Sequence, residues 1–353
     1  MVPSANLPRG TILMIADPEV GTQVPPQGMA NGSVRLTGED LLGIARPVRV
    51  RSFGQENPDK VFYVIWREKG PGLFSIATST LCHLHIARQL GMIPVVDMEH
   101  FRSHYNEDHP VEGTYNSWEY YFKPVSPYSL EEVYNSKTVA FCDGRYPSGY
   151  AFWLTQAPEL QDVYRSYVRI QPSIEEFVDH WEAENFAGAR VLGIHFRGQE
   201  YRTAPIHPFP ATPRQMITRS RELLSQGGYE KIFVVTEEEA YLSLLKKVFG
   251  SRVIHTDAFR TTEVNAYDMY ARPNHKYLLG LEVLRDTLLL GRCNALLFAG
   301  SNVAEFAQFY SAGRYDMVSR IDNGLNVANH AVAKRLWFVR NLLPKALGGF
   351  PDR

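Results

Sequence analysis

Val191-Leu-Gly-Ile-His-Phe-Arg-Gly198 decides how this chain is read. Val191 to Phe196 is a strand-length apolar run, and it passes straight into Arg197 and Gly198. Side chains alternate along a strand, so His195 and Arg197 point to one face and can reach one ligand. Downstream, Pro213 to Leu224 has helical periodicity, Lys231-Ile-Phe-Val-Val-Thr236 is a strand, and Glu238 to Phe249 is helical. Val253-Ile-His255 is a short strand, Lys276 to Leu290 a helix and Ala295-Leu-Leu-Phe-Ala299 a buried strand. Gly300-Ser-Asn302 then opens a helix over Val303 to Tyr310. Strands alternating with helices at this spacing predict a parallel α/β domain.

Upstream the same grammar recurs. Val61 to Trp66 is a β-branched and aromatic strand, followed by the turn Lys69-Gly-Pro-Gly-Leu-Phe-Ser75 and a helix from Ile76 to Leu90 that stops at Gly91. Met92 to Asp97 is the next strand, completing a strand, turn, helix, strand unit of a doubly wound sheet. Residues 98–150 are aromatic, His-rich and turn-rich, and 158–184 are helical with an acidic end. Residues 1–58, rich in Pro and Gly, read as an irregular lead-in with one short strand, Thr11 to Ala16. The expected organisation is a Rossmann-like domain over 1–185 and a second over 186–353, the boundary falling in the polar stretch Glu184 to Arg190. Two such domains facing across a cleft is the architecture of many nucleotide-sugar transferases. No internal repeat is present.

At 353 residues the chain accommodates two domains. Its 44% hydrophobic and 21% charged residues are those of a globular protein. A net charge of −1 argues against a surface built to wrap nucleic acid. Cys82, Cys142 and Cys293 are scattered with no C-x-x-C pair, which reads as buried thiols in a reducing compartment. The N-terminus lacks a basic segment followed by an apolar run, and no stretch approaches the roughly 18 apolar residues of a membrane span. The expected location is the cytoplasm, with no transmembrane segment and no nucleic-acid partner.

In open parallel sheets ligands bind beyond the carboxyl ends of the strands. Three such ends in the C-terminal half carry polar residues. The first is His195, Arg197 and Gly198: Arg197 offers a bidentate, permanently charged fork for a pyrophosphate, and Gly198 permits close backbone approach. The competing reading is a core histidine and an Arg197–Glu200 ion pair. The second is Thr236-Glu237-Glu238-Glu239, where Thr236 either caps the next helix or, with Glu237, contacts a base or ribose. The third is Gly300-Ser301-Asn302, an anion-binding turn at a helix start or simply an N-cap. Glu282 and Asp286 stand out as acids one turn apart in an otherwise apolar helix; Asp286 can hold a loop or pair with Arg285 or Arg292.

The ordered set G-I-H-F-R-G, the T-E-E strand end and D-x-x-x-L-x-x-C-x-x-x-L-x-x-x-S, over Leu192 to Phe309, resembles the three-motif signature of the fucosyltransferase superfamily, which holds the α-1,6-, α-1,2- and protein O-fucosyltransferases. In the N-terminal half only Gly70-Pro-Gly72-Leu-Phe-Ser75 is similar to that family's Gly-containing acceptor-side turn. The resemblance implies a GT-B-like α/β fold of two Rossmann-like domains, a GDP-fucose donor, a glycan or glycoconjugate acceptor, inversion, and no required metal or other cofactor. It places Arg197 on the donor β-phosphate with His195 in support, Thr236 and Glu237 near the nucleoside, and Asp286 and Ser301 around the phosphate and base pocket. Two departures stand out: Gln199-Glu200 follows the Arg motif where the family often has Asp, and Glu237-Glu238 replaces the usual Asp-Asp.

An inverting transfer needs charge stabilisation on the departing diphosphate and a base for the acceptor hydroxyl. Arg197 and the Ser301 turn suit the first; Glu200, His207 and, from the N-terminal half, Glu68 are candidates for the second. Trp118, within Asn116 to Phe122, is either an acceptor-stacking ring or core. The histidines His83, His85, His100, His104 and His109 complete no metal framework of recognised spacing. Three rivals remain: a GT-B transferase using another nucleotide sugar, a non-catalytic nucleotide- or sugar-binding protein, and a Rossmann oxidoreductase. The last lacks a G-x-G-x-x-G opening a helix.

Overall fold

The computed structural model describes residues 49–144, 154, 158–262 and 266–351, with the strand backbones Ile12–Met14, Ala30–Asn31 and Val34–Leu36. The remainder of the expected lead-in lies outside the described residues. Two compact units, Met1–Gln171 and Pro172–Arg353, divide the chain.

In the first unit β1 (Ile12–Met14) pairs antiparallel with β3 (Val34–Leu36). The main sheet contains β2 (Ala30–Asn31), β4 (Arg49–Ser52), β5 (Phe62–Ile65), β6 (Ile93–Val96) and β7 (Val139–Phe141) in the order β2-β4-β7-β5-β6. β6 and β5 run parallel, as the strand-turn-helix-strand reading requires, and β7, which that reading did not include, is parallel to β5, whereas β4 and β2 add antiparallel. The sheet is therefore mixed. Arg49-Val-Arg-Ser52 gave no strand signal because its apolar content is one valine between two arginines. Helix α1 (Leu73–Gln89) starts directly on the Gly-Pro-Gly turn, three residues before the expected start, and is followed by Gly91 at φ +65. Next come α2 (Leu130–Val133) and α3 (Pro158–Tyr167), the latter packed on α1.

The second unit begins with α4 (Pro172–Asn185), where Pro172 splits the single helical stretch read from 158–184 in two. The sequence reading placed α4 in the first domain; the structure groups it with the second. Arg292 explains this by pairing with Asp179 at 2.6 Å and Glu182 at 2.7 Å, while Arg285 stacks on Phe177 at 3.8 Å and Trp181 packs on Phe233. Then follow β8 (Val191–His195), α5 (Pro213–Gly227), β9 (Lys231–Val235), α6 (Glu239–Phe249), β10 (Val253–Ile254), α7 (His275–Leu290), β11 (Ala295–Ala299), α8 (Asn302–Ser311), β12 (Met317–Ile321) and α9 (His330–Leu342). Helix α5 is fixed by a capping box between Thr212 and Gln215, with Pro213 in its first turn.

All five strands of this sheet are parallel, in the order β10-β9-β8-β11-β12. The chain winds outward from β8 through β9 and β10, returns to the other side of β8 as β11, and ends on β12. That reversal creates a topological switch point between β8 and β11, the place where doubly wound sheets bind ligands. Leu192, Ile194, Ile232, Val234, Ala295 and Leu297 form the buried core beneath it.

Gly193 sits where β8 passes α7: a methyl group there would lie 2.7 Å from Leu290 Cδ1 and 3.0 Å from Cys293 Sγ. Gly193→Ala overpacks this junction and lowers stability by about 1–3 kcal/mol. Urea unfolding of the two proteins measures the loss, and an unchanged midpoint would contradict the packing described.

Candidate active site at the carboxyl edge of the second sheet

β8 is paired along both edges, so its polar chemistry is confined to its end. His195 is its last residue and is 5% exposed. Its Nδ1 lies 3.0 Å from Ser301 Oγ, across the switch point. The Ser301 oxygen accepts the Ala304 N–H at 3.2 Å as the N-cap of α8. Burial, followed by the charge of Arg197, pushes the His195 pKa down to about 3. The imidazole is thus neutral, and its Nδ1 and the Ser301 hydroxyl share one hydrogen bond. The two readings of Ser301, cap and ligand turn, are compatible here: its hydroxyl caps α8 and ties that turn to β8. Asn302 follows as the first residue of α8.

Arg197, two residues beyond, is three-quarters buried. Its Nη2 donates to Glu200 Oε1 at 2.7 Å, its Nε lies 3.7 Å from Glu237 Oε2, and its guanidinium covers the Tyr201 ring at 4.1 Å. Burial works against its charge, but Glu237 and then Tyr201 and Glu200 outweigh burial, so the guanidinium stays protonated. The ion pair with Glu200 weighed from the sequence is present. It leaves Arg197 Nε buried and hydrogen-bonded to no described residue. A buried charged donor without a hydrogen-bond acceptor is costly, and an anionic oxygen satisfies it.

The carboxylates of the second strand end divide their roles. Thr236 is buried and its Oγ1 accepts the Glu238 N–H at 3.2 Å, so it shapes the turn before α6 rather than capping the helix with its side chain. Glu237 faces Arg197, and burial raises its pKa while Arg197 opposes the rise. Glu238 is buried, and both of its carboxylate oxygens accept from Arg202 Nη2 at 2.5 Å. Arg202 in turn covers Tyr241 and Trp337 at 5.6 Å each. Neither Arg202 nor Glu238 was singled out by sequence reasoning as a site residue. The second acid in Glu237-Glu238-Glu239 and a second Arg five residues after the first were the available signals. Gly198 lies against the start of α6: a Cβ there would fall 2.0 Å from Glu238 Oε1 and 2.7 Å from the Tyr241 ring. Its glycine identity keeps the Arg197 loop pressed onto that helix start.

The loop after β10 is fastened by the two α7 acids. Thr256 Oγ1 donates to Asp286 Oδ1 at 2.5 Å, Glu282 accepts the Phe259 N–H at 3.0 Å, and Arg272 pairs with both Glu282 oxygens at 2.6 and 2.7 Å. Arg285 and Arg292, weighed as partners of Asp286, are engaged with α4 instead. Burial pushes the Asp286 pKa up to about 7, against the Thr256 hydrogen bond.

Of the candidate bases, Glu200 is held by Arg197, and His207 is exposed with its Nδ1 on the Pro205 carbonyl at 2.9 Å. Glu68, Gly70, Gly72 and Trp118 belong to the first unit. Glu68 is exposed, its N–H bonded to the Gly144 carbonyl. Gly70, at φ +131, and Gly72, the N-cap of α1, form the turn that seats Leu73 N–H on the Tyr105 hydroxyl at 2.7 Å. Trp118 is 3% exposed and stacked on Phe122 at 4.3 Å; it is core, and its faces are closed to a sugar. The three thiols are buried and free, and among the described residues no group of His, Cys, Asp or Glu is arranged to hold a metal ion.

No family model and no curated protein matches this chain. Solved structures do. NodZ alpha-1,6-fucosyltransferase co-crystallised with GDP is 16% identical, with a TM-score of 0.49 over 76% of this chain and 97% of that one. POFUT1 in complex with GDP-fucose is 12% identical, with a TM-score of 0.35 over 75% of each chain. A mutant of FUT1 from Arabidopsis thaliana in complex with GDP is 12% identical, with a TM-score of 0.42 over 75% of this chain and 71% of that one. At such identities no residue role passes from them to this chain, and the site stands on its own geometry.

Two outcomes follow. Ser301→Ala removes a helix cap and the His195 partner together and costs about 1–3 kcal/mol, measured by urea unfolding. Asp286 binds its proton more tightly folded than unfolded, its pKa rising from 3.8 to about 7. Native protein therefore holds more protons between these values, and stability declines as pH rises through that window and levels off above it. Asp286→Asn, fixed in the neutral form, lacks that decline; parallel slopes for the two proteins from pH 4 to 8 would refute the assignment.

Proposed function

We propose that this chain is an inverting, metal-independent glycosyltransferase that moves fucose from GDP-fucose to a hydroxyl of a glycan or glycoconjugate. The observation that carries the reading is Arg197: a charged, three-quarters buried guanidinium beside the switch point of a parallel sheet, with its Nε–H lacking a hydrogen-bond acceptor among the described residues. The motif resemblance supplies the identity of sugar and base.

On this reading the donor diphosphate takes the place of Glu200 on Arg197, and Glu237 stays behind as the charge that keeps the guanidinium oriented. As the bond from the anomeric carbon to the β-phosphate breaks, negative charge accumulates on the departing diphosphate. Arg197 stabilises that charge with no metal, in a partly desolvated site where electrostatic interactions are strong. His195 supports it as a neutral imidazole held in place by Ser301. The turn from Gly300 to Asn302 lends the positive end of α8. Glu200, once released from Arg197, is the carboxylate of this unit that becomes available to accept a proton; His207 and Glu68 remain alternative bases. Thr236 and Glu237 adjoin the nucleoside, and Asp286 orders the loop at Thr256 that borders it. The cytoplasm is the proposed location.

A ligand that binds only the folded state raises the melting temperature. GDP is expected to stabilise the protein, whereas UDP, dTDP and CMP at equal concentration are not; stabilisation by UDP and not by GDP would replace the donor. Arg197→Ala is expected to lower kcat by about 10²–10³-fold, the loss typical when a donor to a developing anion is removed. Transfer should persist in excess chelator, and strict dependence on a divalent ion would overturn the metal-free mechanism.

A further inference from the structure

The first unit contains a cavity of about 700 Å³ that the transferase chemistry above does not use. It lies beside the end of β6, where Asp97 follows the strand and is wholly buried. Asp97 Oδ1 accepts the backbone N–H groups of Glu99 at 3.0 Å and His100 at 2.9 Å. Its Oδ2 accepts from the Tyr134 hydroxyl at 2.5 Å and from His100 Nδ1 at 3.0 Å. Four donors converge on one carboxylate, which fixes the His100 ring and commits Nδ1. Nε2 of His100, on the wall of the cavity, has no hydrogen-bond partner among the described residues, and the ring is one-third exposed.

Glu119 stands on the same wall. Thr114 Oγ1 and Asn116 Nδ2 donate to its two oxygens at 3.3 and 3.0 Å, and Asn116 is itself anchored to Met98 N and the Val96 carbonyl. Glu119 is therefore a positioned carboxylate and not a solvated surface acid. Burial raises its pKa, as expected of a carboxylate short of neighbouring positive charge. Ser126 Oγ, also at the cavity wall, is buried and hydrogen-bonds to no described residue. Glu99 and Glu131 complete a lining that includes no Lys or Arg among the described residues, and Pro124, Pro127, Tyr128 and Leu130 give it apolar surface.

We propose that this cavity is a binding site for a hydroxyl-rich organic amine of the amino-sugar type. The volume is that of a small-ligand pocket, and a few fixed polar groups set in apolar walls are what such pockets use for orientation. An ammonium group meets the positioned Glu119 carboxylate, with Glu99 and Glu131 adding favourable charge. Hydroxyls meet His100 Nε2 and Ser126 Oγ, and the C–H faces of the ring lie on the proline and tyrosine walls. Anions are excluded by the three glutamates. The site is complete within the first unit and does not rest on the nucleotide-sugar reading, so a failure of GDP to bind leaves it intact.

Three probes of one shape and different charge test it on the full chain: glucosamine, glucose and glucuronate, titrated by ligand-observed NMR. Saturable glucosamine binding is expected, with glucose about tenfold weaker and glucuronate showing none. Glu119→Gln, which keeps the Asn116 and Thr114 contacts sterically, is expected to weaken glucosamine about tenfold or more, the worth of one charge-assisted hydrogen bond. Ser126→Ala, which cannot disturb the Asp97 cluster, is expected to weaken all neutral and cationic probes alike. Glucuronate binding as well as glucosamine, no saturable binding of glucosamine, or an unaltered affinity in folded Glu119→Gln would each overturn the proposal.

Discussion

The second unit depends on one constraint: β8 is hydrogen-bonded along both edges and buried on both faces, so nothing polar can be placed on it except where it ends. Its neighbours β9 and β11 run parallel to it and end at the same edge. Three consecutive strand ends are thereby brought side by side, and the polar groups that each sheds on leaving the sheet become neighbours. The hydrogen bond from Ser301 to His195 spans β8 and β11 at the switch point, tying the start of α8 to the end of β8. Burial keeps His195 neutral, so no second cation stands beside Arg197.

Around Arg197 the charges are balanced but not saturated. Glu200 and Glu237 hold the guanidinium, and Tyr201 lies beneath it, yet its buried Nε hydrogen-bonds to no described residue. Glu200, half exposed, is the member that can leave at least cost, because water can take the place of its partner. Glu238 is different. It is buried and doubly bonded to Arg202, and removing either partner would strand a charge in the interior. Adjacent glutamates thus do unlike work, Glu237 facing the crevice and Glu238 bracing the loop beneath Gly198.

The first unit shows the same logic in other residues. Asp97, at the end of β6, gathers two backbone amides, a tyrosine and a histidine, and its buried charge is met entirely by hydrogen bonds. The result is an oriented imidazole at a cavity. The Gly70-Pro-Gly72 turn delivers the start of α1 to the Tyr105 hydroxyl.

Much of this was legible in the sequence. Strands of β-branched and aromatic residues, helices with a Pro start or a Gly stop, and the alternation of the two set the order of elements from β8 to α8, whereas β12 and α9 were not read. His195, Arg197, Thr236, Glu237 and Ser301 were singled out because polar residues directly after apolar strands have few structural reasons to be there. What the sequence by itself determined is therefore the parallel α/β class and the strand ends at which chemistry can sit. Tertiary structure decided the rest, because pairing across long separations leaves no local trace. It alone joined Arg202 to Glu238, Thr256 to Asp286 and Asp97 to Tyr134, put α4 with the second unit through Arg292, buried Trp118, and added β7, β4 and β2 to a sheet of which only β5 and β6 had announced themselves.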